Sequence, residues 1–267
     1  MINLRAVTAG GYMVYKIEKT DCAAAIFNGW EETMIWSCLQ GVMGHIYAND
    51  REKPSSAMAI LGDFCFLAGV PDAELASYKP EWCTRDFIII VPQNRQWGEV
   101  IEKCYGDKAR KVVRYAMKKE PDVFDRDRLE DMVRKLPTEY TLCRIDESVF
   151  RECRKEDWCR DLVSQFDDYN AYREKGLGVV VMKDSALVAG ASSYTAYQGG
   201  IEIEIDTKKE YRRRGLATVC GAGLILECLD RGWYPSWDAQ NLWSVALAEK
   251  LGYHFSHEYE AYEIYGY

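Results

Sequence analysis

The feature that most constrains this chain is the stretch from Gly199 to Asp230, GGIEIEIDTKKEYRRRGLATVCGAGLILECLD. After its two glycines, isoleucine alternates with a carboxylate, which is the pattern of a strand with one apolar and one acidic face. A charged turn containing three consecutive arginines follows, and from Leu216 the chain carries no charge until Glu227. The pattern predicts a strand, a basic glycine-containing turn and a buried helix, in that order.

The predicted turn, Arg212-Arg213-Arg214-Gly215, has the chemistry of an anion site. The first amides of a helix have no partner within the helix, and the aligned peptide dipoles place partial positive charge at the same end. Gly215 lets a ligand approach the backbone closely, and three guanidinium groups stand beside it. A pyrophosphate would fit there, although a short arginine-rich turn is also common on solvated surfaces.

The chain on either side of this stretch also follows a regular order. Before it, helices are predicted around 147–156 and 159–166, then strands at 179–182 and 187–194. After it come a short strand, Trp233 to Trp237, the tetrapeptide Asp238-Ala239-Gln240-Asn241, and an amphipathic helix to Lys250 that Gly252 stops. A closing strand is predicted at 259–265. The order is helices, three strands, helix, strand, helix, strand.

Two motifs in this half resemble those of the GNAT superfamily of N-acetyltransferases. The run Arg212-Arg213-Arg214-Gly215-Leu216-Ala217 is similar to the Q/R-x-x-G-x-G/A acetyl-CoA loop. Asn241-x-x-Ser244-x-x-Leu247-x-x-x-x-Gly252-Tyr253 is similar to the N-x-x-A/S-x-x-L-(Y)-x-x-x-G-F segment. The resemblance covers roughly Tyr140 to Tyr267. Within the superfamily, PSWDAxN and SxxLAEKLGY look most like the bacterial group that includes zwittermicin A resistance proteins.

The resemblance implies an α/β (α+β) fold, with a mixed, mostly antiparallel sheet flanked by helices, and acetyl-CoA as cosubstrate. It implies that the pyrophosphate lies on the turn and the first helical residues, that the pantetheine arm pairs with the preceding strand, and that Asn241 contacts the arm or caps the last helix. The expected cofactor-binding residues are Ile203, Ile205, Arg212, Arg213, Arg214, Gly215, Leu216, Ala217, Thr218 and Asn241.

The acidic row Glu202, Glu204 and Asp206 is the candidate for acid–base chemistry. The simplest interpretation is that these residues form the solvent-exposed face of an antiparallel strand and have no catalytic role. If the strand is central, both of its faces are partly covered, and neighbouring like charges and burial then raise a carboxylate's pKa as a general base requires. We predict Glu204, nearer the middle of the strand, and Glu202 as catalytic residues that either take the proton of the amine or bind its ammonium form. A bulge would reverse the facing of later residues.

The departing thiolate lacks the usual acid in this chain. Many superfamily members have Tyr directly after the Leu of the second motif, where this chain has Ala248. Protonation of a thiol with a pKa near 8.5 contributes only about 2 kcal/mol at neutral pH, so the loss is tolerable. Ser244 is the first candidate to replace the tyrosine, ahead of a water molecule or Tyr253. Trp237 and Asp238 are further candidates to line the acceptor side, although a Trp here is more often part of the core.

Length and composition bound the remaining interpretations. The 267 residues allow one large or two small domains, and we place a boundary near Leu136-Pro137, with an N-terminal α/β domain of unclear function (1–136) before the GNAT domain (137–267). The N-terminal domain is either a degenerate copy of the C-terminal fold or an unrelated cap. A formal net charge of −8 argues against nucleic acid or an anionic membrane as partner. The ten dispersed cysteines without a CxxC indicate mostly buried thiols in a reducing cytoplasm, and no metal site is predicted.

Together these observations predict an acetyl-CoA-dependent N-acetyltransferase that moves an acetyl group to a primary amine of a small molecule by direct attack on the thioester. The acceptor would be an antibiotic or amino-acid derivative by family analogy alone. The alternative is a catalytically silent acetyl-CoA sensor or interaction protein, which Ala248 and the N-terminal half without motifs favour. A transferase that uses charged tRNA is disfavoured by the acidic balance. A homodimer is left open.

Overall fold

The computed structural model describes residues 13–267, and these residues form two compact units. The first unit runs to Arg114 and includes the last residues of the chain, Tyr259–Tyr267. The second unit is Tyr115–Glu258 and contains both motifs. Within the described residues, no helix is long and apolar enough to cross a membrane.

The second unit begins before the boundary predicted near Leu136-Pro137. Residues 126–134 form a helix whose Leu129 lies in the same buried cluster as Ala222 and Ile225 of the helix that begins at Leu216. Packing therefore assigns this segment to the second unit, which a search for linker residues does not detect. The division into two functional domains stays a prediction.

The first unit is a sheet with helices between its strands. Strands β1 to β4 form an antiparallel meander, β5 runs parallel to β4, and β13 is antiparallel to β5. Numbered in chain order, its elements are β1 (Tyr15–Ile17), α1 (Asp21–Ala24), α2 (Thr33–Gln40), β2 (His45–Ala48), β3 (Ser56–Leu61), β4 (Phe64–Gly69), α3 (Ala73–Ser77), β5 (Phe87–Pro92), α4 (Arg95–Tyr105), the first part of β6 (Ala109–Met117) and most of β13 (Phe255–Tyr265).

The second unit has a sheet in the order β11-β10-β9-β8-β7. All neighbours are antiparallel except β10 and β11, which are parallel. Its elements are α5 (Arg126–Arg134), β7 (Tyr140–Arg144), α6 (Glu147–Cys153), α7 (Tyr169–Lys175), β8 (Gly178–Lys183), β9 (Ala186–Tyr197), β10 (Gly200–Thr207), α8 (Leu216–Asp230), β11 (Tyr234–Ser236), β12 (Asp238–Ala239) and α9 (Leu242–Leu251).

Helix α8 is buried because its first eleven residues carry no charge and include glycines that permit close contact. A Cβ atom at Gly221 would lie 2.6 Å from Leu251 of α9, and one at Gly223 would lie 2.9 Å from Leu142 of β7. The remaining core of the second unit joins α5, α8 and α9, with Ile203 and Ile205 of β10 packed against it. This packing fixes the start of α8 next to the end of β10.

The predicted α/β (α+β) class is confirmed, since a mixed and mostly antiparallel sheet carries helices in each unit. The predicted strand, turn and buried helix from Gly199 to Asp230 are also confirmed. The prediction of a helix at 159–166 was wrong, because only a 3-10 turn at Arg160–Leu162 forms there. The Arg154 guanidinium donates to the carbonyls of Phe166 and Asp167, so a side chain stabilises this segment instead of a helical backbone. All ten cysteines are free thiols, most of them buried.

Candidate functional site

Strand β11 pairs only with the first three residues of β10. The parallel register joins Gly200, Ile201 and Glu202 to Tyr234, Pro235 and Ser236. Beyond that point β11 ends, and β12 pairs instead with the end of β6. In the part of the chain that the structure describes, no strand pairs with this side of β10 from Ile203 to Thr207. The backbone edge of β10 beyond Glu202 is therefore not used by strand pairing in residues 13–267.

A register shift in the neighbouring pair lies at the same place. Glu202 is opposite Thr195 of β9, whereas Ile203 is opposite Ser193, so Tyr194 is an extra residue on β9. A bulge increases local twist and bends the strands. A bulge, which the sequence analysis considered for β10, is thus present in β9 instead. The alternation of isoleucine and carboxylate side chains between the two faces of β10 is therefore kept.

Alternation divides β10 into an apolar and an acidic face. Ile203 and Ile205 pack against the core formed with α8 and α9. Glu202 is only 5% exposed, while Glu204 and Asp206 are half-buried. The row of carboxylates is therefore not a fully solvated face, and the interpretation of this face as the solvent-exposed side of the strand is wrong.

Asp206 has a strongly perturbed carboxyl group. Burial and then the charge of Asp161, from the 3-10 turn that packs against β10, raise its pKa to about 7, and Arg212 opposes the shift. The sequence placed Asp206 in the acidic row but did not select it, because Asp161 is far away in the chain. A carboxyl group with such a pKa can hold or release a proton near neutral pH.

The turn between β10 and α8 has the backbone of an anion cradle. Arg213 and Gly215 have positive φ values of 61° and 78°, and no atom of residues 13–267 lies within 4 Å of the position of a Cβ atom on Gly215. Gly215 occupies the N-cap position of α8 and offers no side-chain cap. The first amides of α8, from Leu216 to Thr218, therefore have neither an earlier helical carbonyl nor a side-chain cap as partner.

The three arginines of the turn differ in their contacts. Arg212 donates from Nε to the carbonyl of Thr207 at 3.1 Å. Arg214 donates to the carbonyl of Glu210 at 3.1 Å and lies over the ring of Tyr211. Arg213 makes no hydrogen bond or ion pair with any residue from 13 to 267. The first and third arginines therefore hold the turn in shape, and the second leaves its charge available.

The structure places a fourth cationic side chain at this site, which the sequence analysis did not identify. Lys250, in the last turn of α9, places Nζ 3.3 Å from Oγ1 of Thr218 in the first turn of α8. In the sequence, Lys250 is visible only as a basic residue before a helix stop. No linear pattern connects it to a helix that begins more than thirty residues earlier, so only the packing of α9 on α8 reveals it.

Helix α9 begins with a chain of hydrogen bonds. The side-chain oxygen of Asn241 accepts from the amide of Ser244 at 3.0 Å, which is an N-cap. The indole N–H of Trp237 donates to Oγ of Ser244, also at 3.0 Å. The hydroxyl of Ser244 therefore receives one hydrogen bond and keeps its own proton for another acceptor.

Two other positions near α9 do not offer a replacement acid. Ala248 is fully buried in the core of the second unit, so the departure from the superfamily pattern is a packed alanine. The hydroxyl of Tyr253 donates to the carbonyl of Pro235 at 2.5 Å, and burial holds its pKa well above the usual value. Of the predicted candidates, Ser244 is the one whose proton is available.

Comparison with known proteins gives consistent matches along most of the chain. Residues 24–262 match the family model described as GNAT acetyltransferase. An uncharacterised N-acetyltransferase of Bacillus subtilis, YdfB, is 28% identical over 253 residues, which are 86% of this chain and 89% of that protein. These matches carry the family name, and the assignment to the zwittermicin A resistance-like group stays a prediction.

Solved structures agree with the family match. The crystal structure of a GCN5-related N-acetyltransferase-like protein from Streptococcus suis is 46% identical, with a TM-score of 0.87, over 92% of this chain and 98% of that one. A tandem GNAT protein from the clavulanic acid biosynthesis pathway is 10% identical, with a TM-score of 0.51, over 95% of this chain and 99% of that one. The second likeness concerns the fold alone.

Proposed function

The chain belongs to the GNAT acetyltransferase family and is an N-acetyltransferase, and on this premise we propose that it transfers the acetyl group of acetyl-CoA to a primary amine of a small molecule. The proposal rests on two neighbouring features of residues 13–267, a strand edge without a strand partner and the start of a helix without a side-chain cap. The edge of β10 from Ile203 to Thr207 and the first amides of α8 adjoin each other.

The residues present fit a bound acetyl-CoA. The amides from Arg214 to Thr218, with an open Gly215, would hold the diphosphate, because free helical amides and the dipole favour an anion there. Buried Oγ1 of Thr207 has no hydrogen-bond partner within residues 13–267, which leaves a polar group beside the turn for a ligand. The backbone of Ile203 and Ile205 would hold the pantetheine arm, and Asn241 would serve there or only as the cap. When bound, acetyl-CoA supplies an acetyl group activated as a thioester.

The acceptor amine must lose a proton before or during its attack. For an amine with a pKa near 10, deprotonation at pH 7 costs roughly 4 kcal/mol, so a nearby carboxylate contributes directly to the rate. Glu202 and Glu204 are the proposed groups, as base or as ammonium ligand. Glu202 is the last β10 residue that pairs with β11 and is nearly buried, whereas Glu204 lies where β10 has no partner on that side in residues 13–267. A backbone amide of the same strand would stabilise the oxyanion.

Ser244 is the proposed proton donor to the departing thiolate. Its hydroxyl already accepts from Trp237, so its remaining proton can point toward a ligand. The donor is weaker than a tyrosine, but a thiolate needs little help near neutral pH. The acceptor itself would be a small cationic amine, in keeping with the acidic face of β10.

A direct experiment separates catalysis from silent binding. Acetyl-CoA is supplied with a library of small primary amines, and release of free thiol is followed at neutral pH, with calorimetric titration of CoA in parallel. Binding with acetylation of at least one amine supports the proposal. Binding without turnover on any amine supports the alternative sensor, which the packed Ala248 favours. Absence of binding contradicts both.

A further inference from the structure

We infer that Lys250 of α9, together with Arg213, supplies the charges that hold the diphosphate of the coenzyme, while Arg212 and Arg214 maintain the turn. The inference rests on the proposed function, since it assigns roles toward the same ligand. It departs from the linear motif, which treats the three arginines alike and does not contain Lys250.

The Lys250 ammonium group lies at the end of α8 that favours an anion. Its Nζ lies 3.3 Å from Oγ1 of Thr218, at the end of α8 where the helix dipole is positive. A cation is favourable at the C-terminus of its own helix, α9, but the side chain extends to the start of α8 instead. Arg213 stands at the same end, in the turn that leads into α8.

Neither charge has a carboxylate within ion-pair distance among residues 13–267. Elsewhere in the second unit, arginines commonly have such a partner. Arg144 and Arg231 share Glu227 at the far end of α8, at 2.8 and 2.7 Å. At the C-terminal end of this helix the charges are thus paired within the protein, whereas at its N-terminal end two cations have no carboxylate partner in residues 13–267, which suits a doubly charged ligand.

The contacts of the other two arginines explain the division of roles. Arg212 and Arg214 donate to carbonyls of Thr207 and Glu210, at the two ends of the segment that precedes the turn. Guanidinium groups engaged in this way fix the backbone and have fewer donors left for a phosphate. In the part of the chain that the structure describes, Arg213 and Lys250 have no such backbone acceptor, so their donors are available.

The test measures affinity by calorimetric titration of the full chain with CoA, dephospho-CoA and pantetheine. Dephospho-CoA keeps the diphosphate but lacks the 3′-phosphate, and pantetheine lacks all phosphates. We expect Lys250→Met to weaken CoA and dephospho-CoA about tenfold, with a lower salt dependence, and to leave pantetheine unchanged. Arg213→Met should behave alike, and Lys250→Arg should restore most of the affinity. Lys155→Met, an exposed lysine of the same unit, is the control.

The outcomes are distinguishable from failure of the proposed function. If the unaltered protein binds no CoA, the proposed function itself fails. If it binds CoA and Lys250→Met has the same Kd, the assignment of Lys250 is overturned. A loss seen with CoA but absent with dephospho-CoA overturns the diphosphate assignment, and an equal loss with pantetheine shows that Lys250 acts only on the packing of α9.

Discussion

Each unit contains a parallel pair of strands that follows an antiparallel meander, and the two pairs differ in how much of the first strand is paired. In the first unit, β4 and β5 stay paired from Phe64 and Ile89 to Leu67 and Pro92. In the second unit, β11 ends opposite Glu202, and β10 continues to Thr207 without it. The shared order of strands is the physical basis for treating the first unit as a degenerate copy, which stays a proposal.

We call β4 and β5 the closed pair, because protein groups bond to the end of β4 beyond the last residue paired with β5. Beyond β5, the amide of Gln93 donates to the carbonyl of Leu67, and its side-chain oxygen accepts from the amide of Gly69. The indole of Trp97 donates to the carbonyl of Gly69. The free amides at the start of α3 go to the carboxylate of Asp72. In the first unit, protein groups thus occupy the positions that a ligand would take in the second.

The comparison shows that strand order alone does not create the site. The second unit adds an acidic row on β10, a helix start without a side-chain cap, and cations that have no carboxylate partner. Strand β4, in contrast, is apolar and buried along FCFLAG. Four predictions test whether these differences matter, and they are taken in order of expected effect.

The largest effect is expected from the acidic row, which β4 lacks. Glu202→Gln or Glu204→Gln should lower the rate of acetyl transfer about a hundredfold at pH 7, because a positioned base contributes that much, while the Kd for CoA stays the same. Steady-state rates with the best amine, together with calorimetry, provide the measurement. The matched control is Glu210→Gln, an exposed carboxylate of the following turn. If both strand variants keep full activity, the row is not catalytic.

The next effect concerns the glycine at the start of α8. Gly215→Ala forces a side chain onto a φ of +78° and places a methyl group in the cradle, so we expect the Kd for CoA to rise about tenfold, with a stability loss near 1 kcal/mol. Gly69→Ala in the closed pair has a φ of +85°, and its Cβ would lie 2.2 Å from the carbonyl oxygen of Ser55. That variant should lose stability and keep the CoA affinity of its folded fraction. Equal affinity losses in both variants would contradict a local cradle.

The third prediction concerns Asp206, a titratable group near the end of β10, whereas β4 is apolar. In the folded state the pKa of Asp206 is raised from 3.8 to about 7, so the folded protein keeps a proton that the unfolded chain releases near pH 4. Stability therefore falls as pH rises between these values and levels off above pH 7. Since asparagine cannot ionise, the advantage of Asp206→Asn over the unaltered protein should be about 2 kcal/mol greater at pH 8 than at pH 5.

Urea unfolding at the two pH values measures this difference. Asp161→Asn, which removes the nearby charge that assists burial in raising this pKa, should give a smaller change of the same sign. A variant Asp206→Asn with the same relative stability at pH 5 and pH 8 would show that the carboxyl group titrates normally.

These contrasts also show which parts a sequence can predict. The alternation of Ile203 with Glu204 and the charge-free run after Gly215 are local patterns, so the strand, turn and helix were predictable. The end of β11 opposite Glu202, the bulge at Tyr194 and the contact of Lys250 with α8 depend on packing between segments far apart in the chain. Such contacts leave no periodic signal.

The smallest effect tests the closed pair by removing its internal anion. Asp72 accepts from the amides of Glu74 and Leu75, at 2.9 and 3.1 Å, so Asp72→Ala removes the cap of α3 and should cost about 1 kcal/mol of unfolding free energy. The Kd for CoA should not change and no second binding event should appear, because Gln93 and Trp97 still close the strand edge. Calorimetric stoichiometry decides the matter. Binding of a second CoA by this variant would mean that the cap alone separates the two units in function, since a carboxylate would then be the only group that excludes a phosphate from α3.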